Sequence, residues 1–275
     1  MLVTDKFVFV HMHKCGGTFI NMFIKTFFPS AKEIGYHYPI GLLPAQYRHL
    51  PVLGTVRNPW EFYVSYYVFQ QTVLRRARAA MPAAATREGA SADAGDVDPL
   101  NGVDALFSYL SDDGALDFAA TINRFLDLSI SDTLLQGALA RMPTRYGQRG
   151  PDTPTQQSGF RGMDLLRDEL ADISGSGLGF YTFLFRRMMG EDDVYVVPTT
   201  RLRTGLLEFL RRASVPITSE MEQYAMEHRP ENRSEHAHYA TYYSDGLKQR
   251  VADQDSLLIR RHGFQFEPAP RNAGC

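Results

Sequence analysis

The feature that most constrains the fold is a pair of glycines that separates a short apolar run from an amphipathic segment. Residues 7–10 are all apolar, which is typical of a buried strand. After Gly16 and Gly17, large apolar residues recur at helical spacing until Pro29. The first unit is therefore expected to be a strand, a glycine turn and a helix.

A second unit of the same kind begins at residue 52. Residues 52–56, Val-Leu-Gly-Thr-Val, form the predicted strand. Asn58 and Pro59 are typical of an N-cap and a first helical position, and Glu61 would complete a capping box. The helix is expected to run to about residue 76.

The rest of the chain is predicted to add one strand and several helices. Residues 194–197 form the third strand, and a helix follows it. The predicted helices are at 103–110, 116–128, 181–189, 202–212, and from Ser244 to Gly263. Strands that alternate with helices favour a parallel sheet covered on both faces. We expect a single domain over residues 1–275, with a mobile insertion at 77–102 that is rich in alanine, glycine and proline, and a long loop at 142–162.

Composition excludes several classes of protein. Hydrophobic residues make up 44% of the chain and charged residues 22%, as in an ordinary globular protein. A net charge of −2 gives no reason to expect nucleic acid or an anionic membrane as a partner. The two cysteines, Cys15 and Cys275, do not suggest a disulfide framework. Because no leader or membrane-spanning segment is evident, we expect a cytoplasmic protein.

The glycine turn predicts an anion site. Backbone N–H groups at the N-terminus of a helix bind phosphate, and here Lys14 adds a cation and Thr18 a hydroxyl. The lysine precedes the glycines, so the segment does not match the G-x-x-x-x-G-K-[ST] loop of nucleoside triphosphatases. A purely structural turn with a solvated lysine is the alternative. The nearby histidines, His11 and His13, could suggest a metal, but no third ligand is evident in the sequence.

A second anion-binding segment is expected where the strand at 52–56 ends. Arg57 leaves the carboxyl end of that strand, where open parallel sheets bind their ligands, and its planar guanidinium group suits a phosphate. Ser65 lies about two turns into the following helix, so its hydroxyl can face the same side. The alternative is that Arg57-Asn58-Pro59 is only a capped helix start.

Taken together, residues 11–18 and 57–67 resemble the two nucleotide-binding segments of sulfotransferases that use 3′-phosphoadenosine-5′-phosphosulfate (PAPS). The family patterns are H-x-P-K-x-G-G-T and R-[DN]-P-x-x-R-x-x-S-x-Y, and they occur here in the same order. His13 stands in place of the usual proline, and Phe62 in place of a frequent arginine.

The resemblance implies a three-layer α/β fold with a central parallel sheet, like that of P-loop nucleotide kinases. It also implies transfer of a sulfuryl group from PAPS to a hydroxyl, without a metal. Lys14 would neutralise the charge that develops on the leaving nucleotide. The residues implied to bind the 5′-phosphosulfate are Lys14, Cys15, Gly16, Gly17 and Thr18. Arg57 and Ser65 would bind the 3′-phosphate.

A histidine between the two motifs is the expected catalytic base. The segment around His37 resembles the histidine-bearing stretch of heparan sulfate 2-O- and 6-O-sulfotransferases, in which the histidine is the proposed base. A histidine with a near-neutral pKa suits removal of a hydroxyl proton. His11, His13 and His49 are alternative bases, as is a carboxylate that the sequence does not single out. His37 could instead be a histidine hydrogen-bonded in a loop between tyrosines. The acceptor implied by this resemblance is a glycan or another small hydroxylated molecule.

The C-terminal part matches the family less closely. Residues 232–234, a tyrosine pair at 242–243, Asp255 and residues 262–264 resemble the closing pattern of the family, which can lie over the nucleotide. This adds Arg233 and Ser234 to the expected donor-binding residues. Two other functions stay open, namely a nucleotide kinase or NTPase, and a non-catalytic protein that binds adenosine 3′,5′-bisphosphate.

Overall fold

A computed structural model describes residues 1–80, 104–142, 166–190, 193–228 and 236–269. Within these ranges the chain is an α/β protein with five β-strands and eleven α-helices. The predicted insertion after residue 80 and the predicted loop after residue 142 lie outside the described residues, as do Arg233, Ser234 and Cys275.

The strands and helices follow one another along the whole chain. The strands are β1 Leu2–Val3, β2 Val8–Phe9, β3 Lys32–Glu33, β4 Val52–Val56 and β5 Val194–Pro198. The helices are α1 Gly17–Phe27, α2 Pro59–Ala80, α3 Ala105–Leu110, α4 Phe118–Asp127, α5 Asp132–Leu139, α6 Arg167–Ala171, α7 Phe180–Met189, α8 Leu202–Arg212, α9 Ser219–Glu227, α10 Asp245–Gln254 and α11 Ser256–His262.

The five strands form one mixed sheet in the order β3-β1-β2-β4-β5. The three predicted strands, β2, β4 and β5, are parallel to one another. The prediction of a purely parallel sheet is wrong, because β1 is antiparallel to both β2 and β3. Thr4 makes a tight turn between β1 and β2, and its Oγ1 accepts the Phe7 amide at 2.9 Å. Since so short a connection cannot make a crossover, the two strands must pair as a hairpin.

Alternation along the strands directs side chains into two separate cores. Val52 and Val56 of β4 belong to one core, and Leu53 belongs to the other. Helices α1, α8 and α9 pack on the Leu53 side, whereas α2, α7 and α10 pack on the opposite side. The sheet therefore has helices on both of its faces.

Local signals fix the starts of the two helices that follow β2 and β4. Gly16 precedes α1 with a left-handed backbone, φ 77°. Asn58 caps α2 as predicted, and its Oδ1 accepts the Trp60 amide at 3.2 Å. The carboxylate of Glu61 lies 4.0 Å from Arg57 Nε. Helix α2 continues to Ala80, so the part of the predicted insertion at 77–80 is helical.

The last predicted helix is two helices. Ser244 caps α10 as expected, and its Oγ accepts the Leu247 amide at 3.3 Å. The single helix predicted up to Gly263 breaks at Asp255, whose side chain is fully buried. Gly263 has φ 66°, the left-handed conformation that commonly ends a helix. In the described part of the chain, no helix is both long and apolar enough to cross a membrane.

Candidate functional site

The sheet brings the two predicted anion-binding segments together. Strands β2 and β4 are neighbours, and their register pairs Val8 with Val52. The two strands are parallel, so the segments that leave their carboxyl ends lie at the same edge of the sheet. One is the glycine turn before α1, and the other begins at Arg57.

The glycine turn has an unusual backbone. Lys14 and Gly16 both adopt left-handed conformations, with φ 56° and φ 77°. A lysine in this region costs energy, and such strain is found at functional sites more often than elsewhere. The Phe19 amide donates to the Gly16 carbonyl at 3.2 Å. The amides before it have no acceptor within the helix, as at any helix N-terminus, so they are suited to an anion.

The two glycines are also required for packing. A Cβ at Gly16 would lie 2.6 Å from Leu202 Cδ2, and a Cβ at Gly17 would lie 1.9 Å from the His11 ring. Leu202 is the first residue of α8, so the turn packs against the segment that follows β5. The sequence predicted only an anion site at this glycine turn and did not indicate the contacts of the two glycines inside the protein.

Lys14 lies over helix α2. Its Nζ is 4.0 Å from the centroid of the Phe69 ring, which is 44% exposed. Ser65 is one helical turn before Phe69 and is buried, so the two residues share a face of α2. Burial, with a further contribution from the charge of Arg57, lowers the pKa of Lys14 to about 8. Lys14 and Arg57 are therefore close enough to repel each other.

Arg57 has a buried donor with no acceptor. Its Nε makes no hydrogen bond, and the Glu61 carboxylate at 4.0 Å is too far to accept one. Buried donors in proteins almost always have a partner, so an unmatched guanidinium N–H beside a lysine suits an anionic ligand. The Arg57 backbone N–H, in contrast, donates to Tyr181 Oη at 2.9 Å.

Tyr181 connects the two segments, and nothing in the sequence pointed to it. Its Oη lies 3.3 Å from Cys15 Sγ in the glycine turn as well as 2.9 Å from the Arg57 amide. Burial raises the pKa of Cys15 to about 11, so its thiol is neutral and is unsuited to act as a nucleophile. The phenol of Tyr181 is neutral too, because burial raises its pKa well above 10.

A buried carboxylate supports Tyr181 from behind. Asp255 Oδ1 accepts the amide and the hydroxyl of Thr182, at 2.8 and 2.6 Å, and its Oδ2 accepts the Tyr63 hydroxyl at 2.9 Å. Tyr63 Oη in turn accepts the Tyr181 amide at 3.1 Å. Burial raises the pKa of Asp255 to about 6, although these hydrogen bonds oppose the increase. The sequence singled out Asp255 only as part of the closing pattern, without a role.

His37 lies in a cluster of buried rings next to the glycine turn. It is 7% exposed, and its Nδ1 is 2.8 Å from the His11 carbonyl oxygen. A carbonyl only accepts, so Nδ1 carries the proton in the neutral ring and Nε2 is left as the basic nitrogen. His37 also has a left-handed backbone, φ 58°.

The two histidines of the first motif pack against His37. The His13 ring stacks on it with centroids 3.4 Å apart, and the His11 ring lies at 4.4 Å. Burial, with a contribution from both neighbours, keeps the pKa of His37 well below 6.5. His49, in contrast, is exposed on a turn outside this cluster. Among the described residues, no group of three or more His, Cys, Asp or Glu side chains could hold a metal ion.

The closing segment packs on the start of α2. Asn58 Nδ2 donates to the Gln265 carbonyl at 2.8 Å, and the Phe266 ring lies edge-on to Trp60 at 5.5 Å. The Tyr243 hydroxyl donates to the Trp60 carbonyl at 2.9 Å. The C-terminal part of the chain therefore contacts the second predicted anion-binding segment, although Arg233 and Ser234 themselves are not among the described residues.

Comparisons with known proteins found no matching family, curated protein or solved structure. The functional proposal therefore depends on the motifs and on the geometry of this site.

Proposed function

We propose that this chain is a PAPS-dependent sulfotransferase that transfers a sulfuryl group to the hydroxyl of a glycan or another small hydroxylated molecule. One observation carries the proposal. Two cation-bearing segments lie at the carboxyl ends of the neighbouring strands β2 and β4, and burial together with the charge of Arg57 lowers the pKa of Lys14. A nucleotide with anionic groups on both its 5′ and 3′ positions would satisfy the two segments together.

The proposal includes a three-layer arrangement like that of P-loop nucleotide kinases. The parallel strands β2, β4 and β5 and the helices on both faces of the sheet support it. Strand β1 joins the sheet on the side of β2 away from β4, and the turn of its hairpin with β2 lies at the opposite end of the strands from Arg57.

The residues of the site fit the proposed donor. Arg57 Nε is a buried donor without an acceptor, as a site for the 3′-phosphate requires. Ser65 shares a face of α2 with Phe69, over which Lys14 lies, so its hydroxyl would lie on the Lys14 side of this helix. The amides of the glycine turn would bind the 5′-phosphate, and Arg233 and Ser234 would approach the nucleotide from the C-terminal part.

The proposed reaction is an in-line displacement, with catalysis by positioning and electrostatics. The donor supplies an activated sulfuryl group when bound. The acceptor oxygen forms a bond to sulfur, and the bond from sulfur to the bridging oxygen breaks. Lys14 stabilises the negative charge that remains on the bridging oxygen, and His37 Nε2 takes the acceptor proton. The departing product is adenosine 3′,5′-bisphosphate.

The proposal is tested first on the donor. Calorimetry should show that adenosine 3′,5′-bisphosphate binds about tenfold to a hundredfold more tightly than AMP, because AMP lacks a partner for Arg57. Arg57→Ala should remove this preference and leave the affinity for AMP nearly unchanged. Arg75→Ala, which changes an exposed arginine on helix α2, is the matched control.

Equal affinity for the two nucleotides in the unsubstituted protein would contradict the assignment of the 3′-phosphate site. Turnover is then measured with labelled PAPS and a panel of hydroxyl acceptors. Hydrolysis or transfer from ATP, with no transfer from PAPS, would indicate an NTPase or kinase instead. Tight binding of the bisphosphate without turnover on any acceptor would indicate a non-catalytic binding protein.

A further inference from the structure

We infer that Tyr181 is a positioning residue that holds the two phosphate-binding segments at a fixed separation, an inference that rests on the proposed function for its ligand. Its hydroxyl contacts one residue of each segment. The Arg57 backbone N–H donates to Oη at 2.9 Å, and Cys15 Sγ lies 3.3 Å away. Cys15 directly follows Lys14, so one phenol oxygen joins the strand end that carries Arg57 to the turn that carries Lys14.

Tyr181 is itself held rigidly. Its side chain is fully buried, and its ring stacks on Phe62 with centroids 3.7 Å apart and an interplanar angle of 12°. Phe62 belongs to α2 and lies within the segment that begins at Arg57. The position at which many relatives of the resembled family carry an arginine thus holds an aromatic ring that packs against Tyr181.

The backbone at Tyr181 is fixed by Tyr63 of α2 and by Asp255 of the C-terminal part of the chain. Helix α7 has Gly179 as its N-cap, and this residue has no side chain to cap the helix. The Tyr63 hydroxyl and the Asp255 carboxylate accept the amides of Tyr181 and Thr182 in its place. A carboxylate at this end also interacts favourably with the helix dipole. A Cβ at Gly179 would lie 2.6 Å from the Asp255 carboxyl group, so the arrangement requires glycine there.

The arrangement predicts a selective defect when the hydroxyl is removed. Tyr181→Phe keeps the stacked ring but leaves the Arg57 amide without its acceptor and frees the glycine turn. A ligand with two phosphates needs both segments at the right separation, whereas a ligand with one phosphate needs only one of them. Loss of a buried hydrogen bond of this kind should therefore lower the affinity for the two-phosphate ligand by about fivefold to a hundredfold.

Calorimetry on the full chain with three nucleotides tests this expectation. Tyr181→Phe should weaken the binding of adenosine 3′,5′-bisphosphate by that factor, while the affinities for 5′-AMP and 3′-AMP change by less than about twofold. Cys15→Ala, which removes the other side of the contact, should show the same selectivity. Tyr66→Phe removes a buried hydroxyl on α2 that donates to Asp104, and this control should leave all three affinities unchanged. An equal loss for all three nucleotides in the Tyr181 variant, or no loss for any, would overturn the inference.

Hydrogen exchange in the ligand-free protein separates this inference from the proposed function. The Arg57 amide is protected by Tyr181 Oη, so Tyr181→Phe should speed its exchange at least about tenfold, and exchange over residues 14–18 should also rise. If the unsubstituted protein binds no bisphosphate, the proposed function fails. Faster exchange in the variant would then still support the inference that Tyr181 holds the two segments together. Unchanged exchange at Arg57 would overturn it, whichever nucleotide binds.

Discussion

The protonation of Lys14 provides the sharpest test of the site, because the pKa of this residue lies in an accessible range. In the ligand-free protein, burial and the charge of Arg57 lower the pKa of Lys14 from 10.5 to about 8. The difference corresponds to roughly 3 kcal/mol, the cost of holding an ammonium group in this place without an anion. An anionic donor would offset that cost, so donor binding should favour the protonated form.

The expected pH dependence follows from this difference. Below about pH 8 the lysine is already protonated, and donor affinity should be constant. Above that value the ligand-free lysine loses its proton, so affinity should fall by about tenfold for each pH unit. The neighbouring groups do not titrate in this range, because burial raises the pKa of Cys15 to about 11 and lowers that of His37.

Calorimetric titration with adenosine 3′,5′-bisphosphate between pH 7 and pH 9.5 measures this slope. Phosphate monoesters lose their second proton near pH 6, so the ligand keeps its full charge over the range. Lys14→Arg is the matched variant, because an arginine keeps its charge throughout and should give a flat profile. Repeating the titration in buffers with different ionisation heats should show that, above pH 8, binding of the bisphosphate takes up a proton in the unsubstituted protein only. A flat profile in the unsubstituted protein, or an equal slope in both proteins, would refute the reasoning.

Two further expectations concern the buried histidines and the buried carboxylate. His37→Ala should lower kcat by about 10²–10⁴ and leave bisphosphate affinity unchanged, and in the unsubstituted protein the acidic limb of the pH–rate profile should lie below pH 6.5, because the folded protein keeps this ring neutral. Near-normal turnover of the variant would remove His37 from the mechanism. Asp255 has a raised pKa of about 6, so the folded state holds its proton more tightly than the unfolded chain. The stability that this proton contributes is present below about pH 4 and is lost as the pH rises to about 6, by up to roughly 3 kcal/mol. Urea unfolding should therefore show that the stability difference between the unsubstituted protein and Asp255→Asn shrinks from pH 4 to pH 7, and a constant difference would contradict the expectation.

The parts of the fold that were predicted correctly have local signals. The bounds of β4 and α8 agree with the strand predicted at 52–56 and with the helical spacing at 202–212. Strands β1 and β3 have only two residues each, which is too short for any periodic pattern. The last predicted helix breaks at Asp255, whose buried carboxylate accepts hydrogen bonds from Thr182 and Tyr63. An aspartate in an amphipathic segment looks like an exposed residue, so the sequence does not show that it has buried partners.

The residues of the candidate site likewise include some that the sequence indicates and some that only the folded chain shows. Lys14 and Arg57 could be found because each lies where an apolar strand ends, and the sheet places those ends side by side. Tyr181 lies in an apolar helical run, and its contact with Cys15 spans 166 residues. A buried tyrosine hydroxyl needs a hydrogen-bond partner, but only the folded chain shows which one it has. The sequence therefore indicates the residues that would touch a ligand better than it indicates those that hold them in place.

The histidine at position 13 shows how a departure from the resembled motif can be useful. A proline there would fix the turn but could not provide an imidazole ring. His13 stacks on His37 at 3.4 Å, and it directly precedes Lys14, whose backbone is left-handed. Under the proposed function, His37 serves the acceptor and Lys14 serves the leaving group. A single residue of the turn therefore connects the two sides of the reaction, and a shift of the turn that moves Lys14 must also change the packing around the base.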